Sequence, residues 1–249
     1  MVKAIFALAL LIPATPFDSG LPALAQDKQE PRTFTVGGTV KFDGPVPKPK
    51  ANKQLEGDLP CASCHEKVPP KDDLVVAADG GVRWAFVYVK KGLEGKEYKP
   101  PAEPVLVDQV GCIYTPHVVG VMAGQPVTFR NSDKIMHNVN GTAAFANKGF
   151  NKAQLPGGAD TFTFANQEVM VKIACNVHPF MAMHIGVVDH PFFAVTDAAG
   201  KFEIKNLPPG TYTLRVWHEA LQTTDKTNEI VVEVKGDAKA DFLMTKKAP

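Results

Sequence analysis

The residue types best suited to metal chemistry lie close together in the pattern Cys175-x2-His178-x2-Met181. This segment follows Val169–Ala174, an apolar run rich in β-branched residues that is typical of a strand. A thiolate, an imidazole and a thioether are soft or borderline ligands, which suit copper far better than magnesium or calcium. The spacing therefore predicts a metal-binding loop directly after that strand.

A fourth ligand is needed to complete such a site, and the candidate is His137, which follows another strand-like segment upstream. Two histidine nitrogens and one cysteine sulfur in a plane, with a weak axial methionine, define a blue-copper electron-transfer site. The sequence thus predicts one type 1 copper ion bound by His137, Cys175, His178 and Met181. Met183 stands two residues further on and is the alternative axial ligand.

These motifs resemble the copper loops of the cupredoxins, the amicyanin-like and plastocyanin-like blue copper proteins. The resemblance covers residues 104–189, and it rests on His137-Asn138-Val139, on the HPFM string at 178–181 and on the strands leading to His137. It implies a Greek-key sandwich for this part of the chain.

The same resemblance implies roles for residues around the ligands. The backbone of Asn138 would restrain the thiolate, as hydrogen bonds from outside the ligand set commonly do. Electrons would leave through an exposed edge of His178, with Pro179, Phe180 and Ala182 forming the contact patch around it.

The histidine pattern favours an electron carrier over an enzyme. A catalytic metal keeps an open position, and multicopper enzymes need further histidines, usually as His-x-His pairs. No His-x-His occurs in the sequence. We therefore predict a non-enzymatic carrier of single electrons that serves an unidentified redox partner protein. The alternative is a non-catalytic module that binds copper, or that interacts with a protein or a carbohydrate.

A second cysteine motif, with Cys61, Cys64 and His65, matches the C-x-x-C-H signature of c-type haem attachment. It lies in a proline-rich stretch without a helical pattern, and we identify no second axial ligand for a haem. The competing interpretation is a disulfide, either Cys61 to Cys64 or one of them to Cys112. A haem c electron carrier that uses Cys61, Cys64 and His65 is the third functional hypothesis.

The N-terminal residues 1–25 have the pattern of a secretory signal peptide. Lys3 precedes an apolar stretch too short to span a bilayer, and Ala23-Leu24-Ala25 matches an A-x-A cleavage site. No later segment is long and apolar enough for an anchor. We expect a secreted or periplasmic protein with no membrane span, in a compartment where cysteines can form disulfides.

Composition excludes nucleic acid as a partner. The 249 residues include 27 Lys+Arg and 26 Asp+Glu, which leaves a net charge of +1. Binding to phosphates needs a basic stripe, and none is present. The 45% apolar content, with 20 Gly and 21 Pro, indicates a globular chain rich in turns, and nothing in it indicates an oligomeric state.

The elements that must position these residues are short strands separated by Gly, Pro and Asp turns, without a helical period of useful length. We therefore predict an all-β fold of two sandwiches. Residues 104–189 would form the cupredoxin domain. Residues 190–249 resemble the carboxypeptidase regulatory-like, transthyretin-like sandwich, chiefly over the strands and turns of 193–214.

The regulatory-like segment by itself contains too few strands for an independent sandwich. Residues 26–103 contain two further strand patterns, at 34–42 and 82–89, that would complete it. The hypothesis is that the cupredoxin domain is inserted into a discontinuous sandwich. The remaining histidines are expected to be structural: His117, His184, His190 and His218.

Overall fold

The structure is a computed structural model that describes residues 32–142 and 146–247, together with Met1. Apart from Met1, the predicted signal peptide at 1–25 lies outside the described residues and stays a prediction. Within the part described, strands dominate and two short helices occur. No helix among these residues is long and apolar enough to cross a membrane.

The elements follow one another along the chain in a fixed order. They are β1 (Phe34–Phe42), α1 (Lys53–Gly57), α2 (Leu59–Ala62), β2 (Phe86–Lys91), β3 (Val105–Gln109), β4 (Tyr114–Thr115), β5 (Val118–Met122), β6 (Pro126–Asn131), β7 (His137–Thr142), β8 (Phe150–Gln154), β9 (Ala159–Thr163), β10 (Glu168–Ala174), β11 (Ala182–Val188), β12 (Phe193–Val195), β13 (Lys201–Leu207), β14 (Gly210–Trp217), β15 (Leu221–Thr223), β16 (Glu229–Val234), β17 (Ala238–Lys239) and β18 (Phe242–Lys246).

Strands from both ends of the described chain build one sandwich, which we call the split sandwich (β1, β2 and β12–β18). One of its sheets has the order β13-β1-β18-β15, with β17 also paired to β1, and the other has the order β12-β2-β14-β16. β1 pairs with β13 and β18, and β2 pairs with β12 and β14. The strands between β2 and β12 are therefore inserted into this sandwich, as the sequence predicted.

The inserted strands form the central sandwich (β3–β11), which contains the predicted ligands. Its sheets have the orders β5-β11-β10-β7-β8 and β4-β3-β6-β9. β5 pairs in parallel with β11, and β3 pairs in parallel with β6. The chain crosses repeatedly between the two sheets, as in a Greek key. The inner faces bury a common core that includes Val107, Phe129, Ile173 and Ile185.

The two sandwiches pack together through buried side chains of β2, β5 and β11. The side chains of Phe86 and Tyr88 in β2 pack against the central sandwich, so this strand is buried on both faces. Burial on both faces explains why its sequence is continuously apolar from Phe86 to Val89. Two glycines permit this close approach. A Cβ atom at Gly120 would lie 2.4 Å from the Phe193 ring, and one at Gly186 would lie 2.6 Å from the Phe86 ring.

One part of residues 26–103 departs from the expected organisation. Instead of joining the split sandwich, α1 and α2 contribute Leu55 and Cys61 to the core of the central sandwich. The sequence of this stretch is proline-rich and shows no helical pattern. The side chains of Asn52 and Asp58 cap the two helix starts by accepting backbone N–H groups. Helices of 5 and 4 residues are too short to show an apolar period in sequence.

Candidate metal centre

Two neighbouring strands of the central sandwich bring the predicted ligands together. His137 is the first residue of β7, and Cys175 directly follows β10. These strands pair antiparallel with Asn140 opposite Ala174, so the start of β7 lies beside the end of β10. The loop after β10 then carries His178 over the same end of the sheet before the chain enters β11.

Three donor atoms face one another at this end of the sheet. His137 Nδ1 lies 3.0 Å from His178 Nδ1, and Cys175 Sγ lies 3.7 Å from His178 Nδ1. All three side chains are buried, and their ligand atoms lie within 4.8 Å of one another. Bonds from such donors to a first-row metal such as zinc are about 2.0–2.3 Å long, so donors on one ion are about 3–4 Å apart. The donor set and its spacing fit a single copper ion.

The backbone ladder distinguishes the two candidate axial methionines. The register between β10 and β11 places Ile173 opposite Met183. Two residues further along, the Cys175 N–H donates to Met181 O at 3.1 Å, so Met181 lies opposite Cys175. Residues directly opposite in a ladder have Cβ atoms about 5 Å apart on the same face. Met181 is thus the methionine beside the thiol, and Met183 packs beside Ile173 in the core.

The carboxylate of Asp133 orients the ring of His137. Nε2 of His137 donates to Asp133 Oδ2 at 2.8 Å, which leaves the Nδ1 lone pair free to face the other donors. The same carboxylate accepts the N–H of Gly111 at 2.6 Å and that of Cys112 at 2.8 Å. Asp133 was not predicted as a functional residue. Its one sequence signal is its position four residues before His137.

Burial and hydrogen bonding act in opposite directions on the pKa values of the donors. Burial disfavours protonated His137, but its hydrogen bonds with Cys175 and Asp133 outweigh burial and raise the pKa of the imidazole. Burial also disfavours a Cys175 thiolate, yet a hydrogen bond with His137 and one from the Asn138 N–H lower the pKa of the thiol. Burial, followed by the charge of His137, lowers the pKa of His178. A thiol with a lowered pKa is closer to the thiolate form that binds metals.

Tyr114, which sequence reasoning also missed, ties the two ligand-bearing strands together. Its hydroxyl donates to the Asn138 carbonyl at 2.8 Å and lies 3.4 Å from the carbonyl of Ala174. The ring is buried in an edge-to-face contact with Phe129. These contacts hold the start of β7 and the end of β10 at a fixed separation next to the donor atoms.

The predicted exposed edge of His178 is covered, which corrects the expectation that this ring is open to a partner. His178 is only 7% exposed. Its Nε2 atom lies 3.9 Å from Oδ2 of Asp58, whose side chain caps α2. We call residues 52–65, which include both helices, the cap. Sequence reasoning missed this cover because the cap is far from His178 along the chain.

A disulfide between Cys61 and Cys112 shows that the haem hypothesis is wrong. The two Cα atoms are 5.6 Å apart and the sulfurs are bonded, so Cys61 has no thiol for attachment to a haem. Cys64 is an exposed free thiol, and His65 Nε2 donates to the Gly111 carbonyl at 2.7 Å. The pairing confirms the alternative in which one cysteine of the motif bonds to Cys112. It attaches the cap covalently to the loop before β4.

The remaining histidines differ in their surroundings. His190 Nε2 donates to the Val89 carbonyl at 2.7 Å, and this buried residue is structural, as expected. His117 and His184 were also expected to be structural. The structure places both beside Glu219, and the three side chains form a second group of potential metal donors.

Comparison with protein families matches part of the split sandwich. Residues 181–245 match the carboxypeptidase regulatory-like domain, the resemblance predicted for the C-terminal segment. The matched range begins just before β11, which belongs to the central sandwich. The comparison with curated proteins gave no match.

Several solved structures are similar to a part of this chain. A Cu-containing nitrite reductase from Thermus scotoductus SA-01 is 23% identical with a TM-score of 0.33, over 40% of this chain and 25% of that chain. A purple cupredoxin from Nitrosopumilus maritimus is 21% identical with a TM-score of 0.29, over 33% of this chain and 98% of that chain. An oxidised amicyanin mutant is 24% identical with a TM-score of 0.31, over 34% of this chain and 81% of that chain. The metal assignment therefore depends on the donor atoms of this chain itself.

Proposed function

We propose that this protein is a type 1 copper protein that carries single electrons between redox partners. His137, Cys175 and His178 supply the three strong ligands, and Met181 supplies the weak axial ligand. The observation that carries the proposal is the convergence of three buried donor atoms within 4.8 Å. When bound, copper supplies a one-electron couple at this position.

The surrounding side chains keep the donors in place, which suits a site that changes little between oxidation states. Asp133 holds the His137 ring, and the Asn138 N–H donates to Cys175 Sγ at 3.4 Å. Tyr114 fixes the distance between the strands that carry these residues. Because four protein ligands occupy the proposed ion, no coordination position is reserved for a substrate, and we infer a carrier rather than an enzyme.

The disulfide supports a location outside the cytoplasm. Disulfides form and persist in oxidising compartments such as the bacterial periplasm and the cell exterior. The Cys61–Cys112 bond is buried and joins the cap to the central sandwich, so it is a structural bond rather than an exposed thiol pair. This supports the proposal that residues 1–25 direct export.

The route of the electron depends on which part of the ligand loop a partner protein can reach. The cap covers His178, whereas Val177 is 46% exposed and Pro179 is also exposed. These two residues flank His178 in the chain. We infer that an unidentified redox partner protein contacts this exposed part of the loop beside the cap.

A copper titration tests the proposal. The purified protein should develop the intense visible absorption of a copper–thiolate bond, and this colour should saturate with one Cu(II) bound at the thiolate. Cys175→Ser should abolish the colour, and Cys64→Ser, which removes the exposed free thiol, should leave it unchanged. A wild-type protein that stays colourless at saturating copper would contradict the proposed site.

A redox titration separates electron transfer from simple copper binding. The blue protein should be reduced and reoxidised reversibly by one electron per thiolate-bound copper. A blue protein that loses its copper on reduction would instead favour the non-catalytic copper-binding module.

A further inference from the structure

The second group of donor atoms lies where the two sandwiches meet. His117 immediately precedes β5, and His184 lies in β11, with its N–H donating to the His117 carbonyl at 2.9 Å. Glu219 lies between β14 and β15 of the split sandwich. Its Oε1 is 3.0 Å from His117 Nε2, and its Oε2 is 3.4 Å from His184 Nδ1. The ligand atoms of the three residues lie within 4.8 Å of one another.

The protein leaves one of these donors without a hydrogen bond. His184 is only 8% exposed, and its Nδ1 atom has no hydrogen-bond partner among the residues that the structure describes. Its contact with Glu219 is of ion-pair length but lacks hydrogen-bond geometry. Buried ring nitrogens are normally satisfied, so an unpartnered one that faces a carboxylate and a second imidazole points to a binding position for a ligand.

The carboxylate of Glu219 is available to bind a cation. The nearby ammonium of Lys247 donates to the backbone carbonyls of His218 and Glu219, at 2.9 and 2.8 Å, and does not neutralise the carboxylate through a hydrogen bond. The protein contacts of the carboxylate are thus made with the two imidazoles.

Two members of the cluster, His117 and Glu219, line a cavity of about 180 Å³. Asp72 and Asp73 line the same cavity as His117 and Glu219, and so do Pro179 and Phe180 of the ligand loop. A water molecule occupies about 30 Å³ of the liquid, so the cavity holds several water molecules or a small ligand. The two aspartates add carboxylate groups to the lining of this cavity.

We propose that His117, His184 and Glu219 form a second metal site that binds a divalent first-row transition ion, zinc or copper(II), with coordination positions open towards the cavity. Two imidazole nitrogens and one carboxylate oxygen are a donor set that both ions accept. The ligand separations of 3.0 and 3.4 Å match bonds of about 2.0–2.2 Å to one ion. The site gives the split sandwich a chemical role, because that sandwich supplies the third ligand.

Zinc binding tests this site independently of the blue-copper proposal. The background is Cys175→Ser, which removes the thiolate of the first site. In this background we expect one equivalent of Zn²⁺ to bind, measured by equilibrium dialysis, and Glu219→Gln to weaken that binding at least about tenfold. Glu233→Gln removes an equal charge at an exposed position of the split sandwich and should have no effect.

A spectroscopic measurement covers the case in which the Glu219 variant folds poorly. On addition of Zn²⁺ to the Cys175→Ser protein, the NMR signals of the His117 and His184 rings should shift in slow exchange. The proposal is overturned if only the His137 and His178 rings respond at saturating Zn²⁺, since the cluster would then be a hydrogen-bonded structural contact. If wild-type protein never turns blue but the His117 and His184 signals shift, the first site fails and the second stands.

Discussion

Breaking the Cys61–Cys112 disulfide should lower the free energy of unfolding by about 4 kcal/mol. The two cysteines are 51 positions apart. In the chain-entropy description, a cross-link that closes a loop of that length restricts the unfolded chain by about 4 kcal/mol at 25 °C. We expect little change in the folded state, because the cap also buries the Leu55 side chain in the central core. Burial of such a side chain contributes about 1.5–3 kcal/mol.

The measurement is urea unfolding of the copper-free protein, followed by the fluorescence of Trp84 and Trp217 with and without a thiol reductant. Cys64→Ser should respond to the reductant like wild type, because Cys64 is unpaired. A Cys61→Ala/Cys112→Ala variant should be destabilised already and should not respond. If reduction of wild type changes the free energy of unfolding by less than about 1 kcal/mol, the chain-entropy reasoning for this loop is refuted.

Three further perturbations test the site, the packing and one buried histidine. Asp133→Asn removes the carboxylate beside His137, and we expect the copper affinity, measured by competition with a chelator, to fall about 10–100-fold. An unchanged affinity would show that the carboxylate does not hold the His137 ring. Gly186→Ala places a Cβ atom 2.6 Å from the Phe86 ring, so the free energy of unfolding, measured by urea titration, should fall by about 1–3 kcal/mol. An unaltered midpoint of unfolding would mean that the sandwiches pack more loosely than described. Burial lowers the pKa of the His190 imidazole, and in its neutral form the ring donates a hydrogen bond at one nitrogen and accepts one at the other. As the pH falls, the unfolded chain is therefore protonated before the folded protein. The free energy of unfolding should decrease as the pH falls below about 6.5. An NMR titration that placed the pKa of His190 above about 6.5 would contradict that direction.

Local sequence patterns predicted most of the strands because a half-buried strand alternates apolar and polar residues. β1 occupies 34–42, as predicted. β2 begins later than the predicted 82–89, since Trp84 has a φ of 66° and the backbone becomes regular only from Phe86. β7 and β8 were not predicted as strands. They are rich in Asn, Gly and Lys, which have low strand propensity, and they form strands because β7 pairs with β10 and β8 pairs with β7.

The amino-acid sequence alone determined which side chains are available as ligands and that Cys175, His178 and Met181 share one loop. That conclusion needs only residue chemistry and short spacing. The tertiary structure alone decided that Cys61 bonds to Cys112, that the cap covers His178, and that His117 and His184 meet a carboxylate of the other sandwich. Such contacts join segments that are distant in the chain. They depend on strand order and on the packing of sheets against each other, and local periodicity carries no information about either.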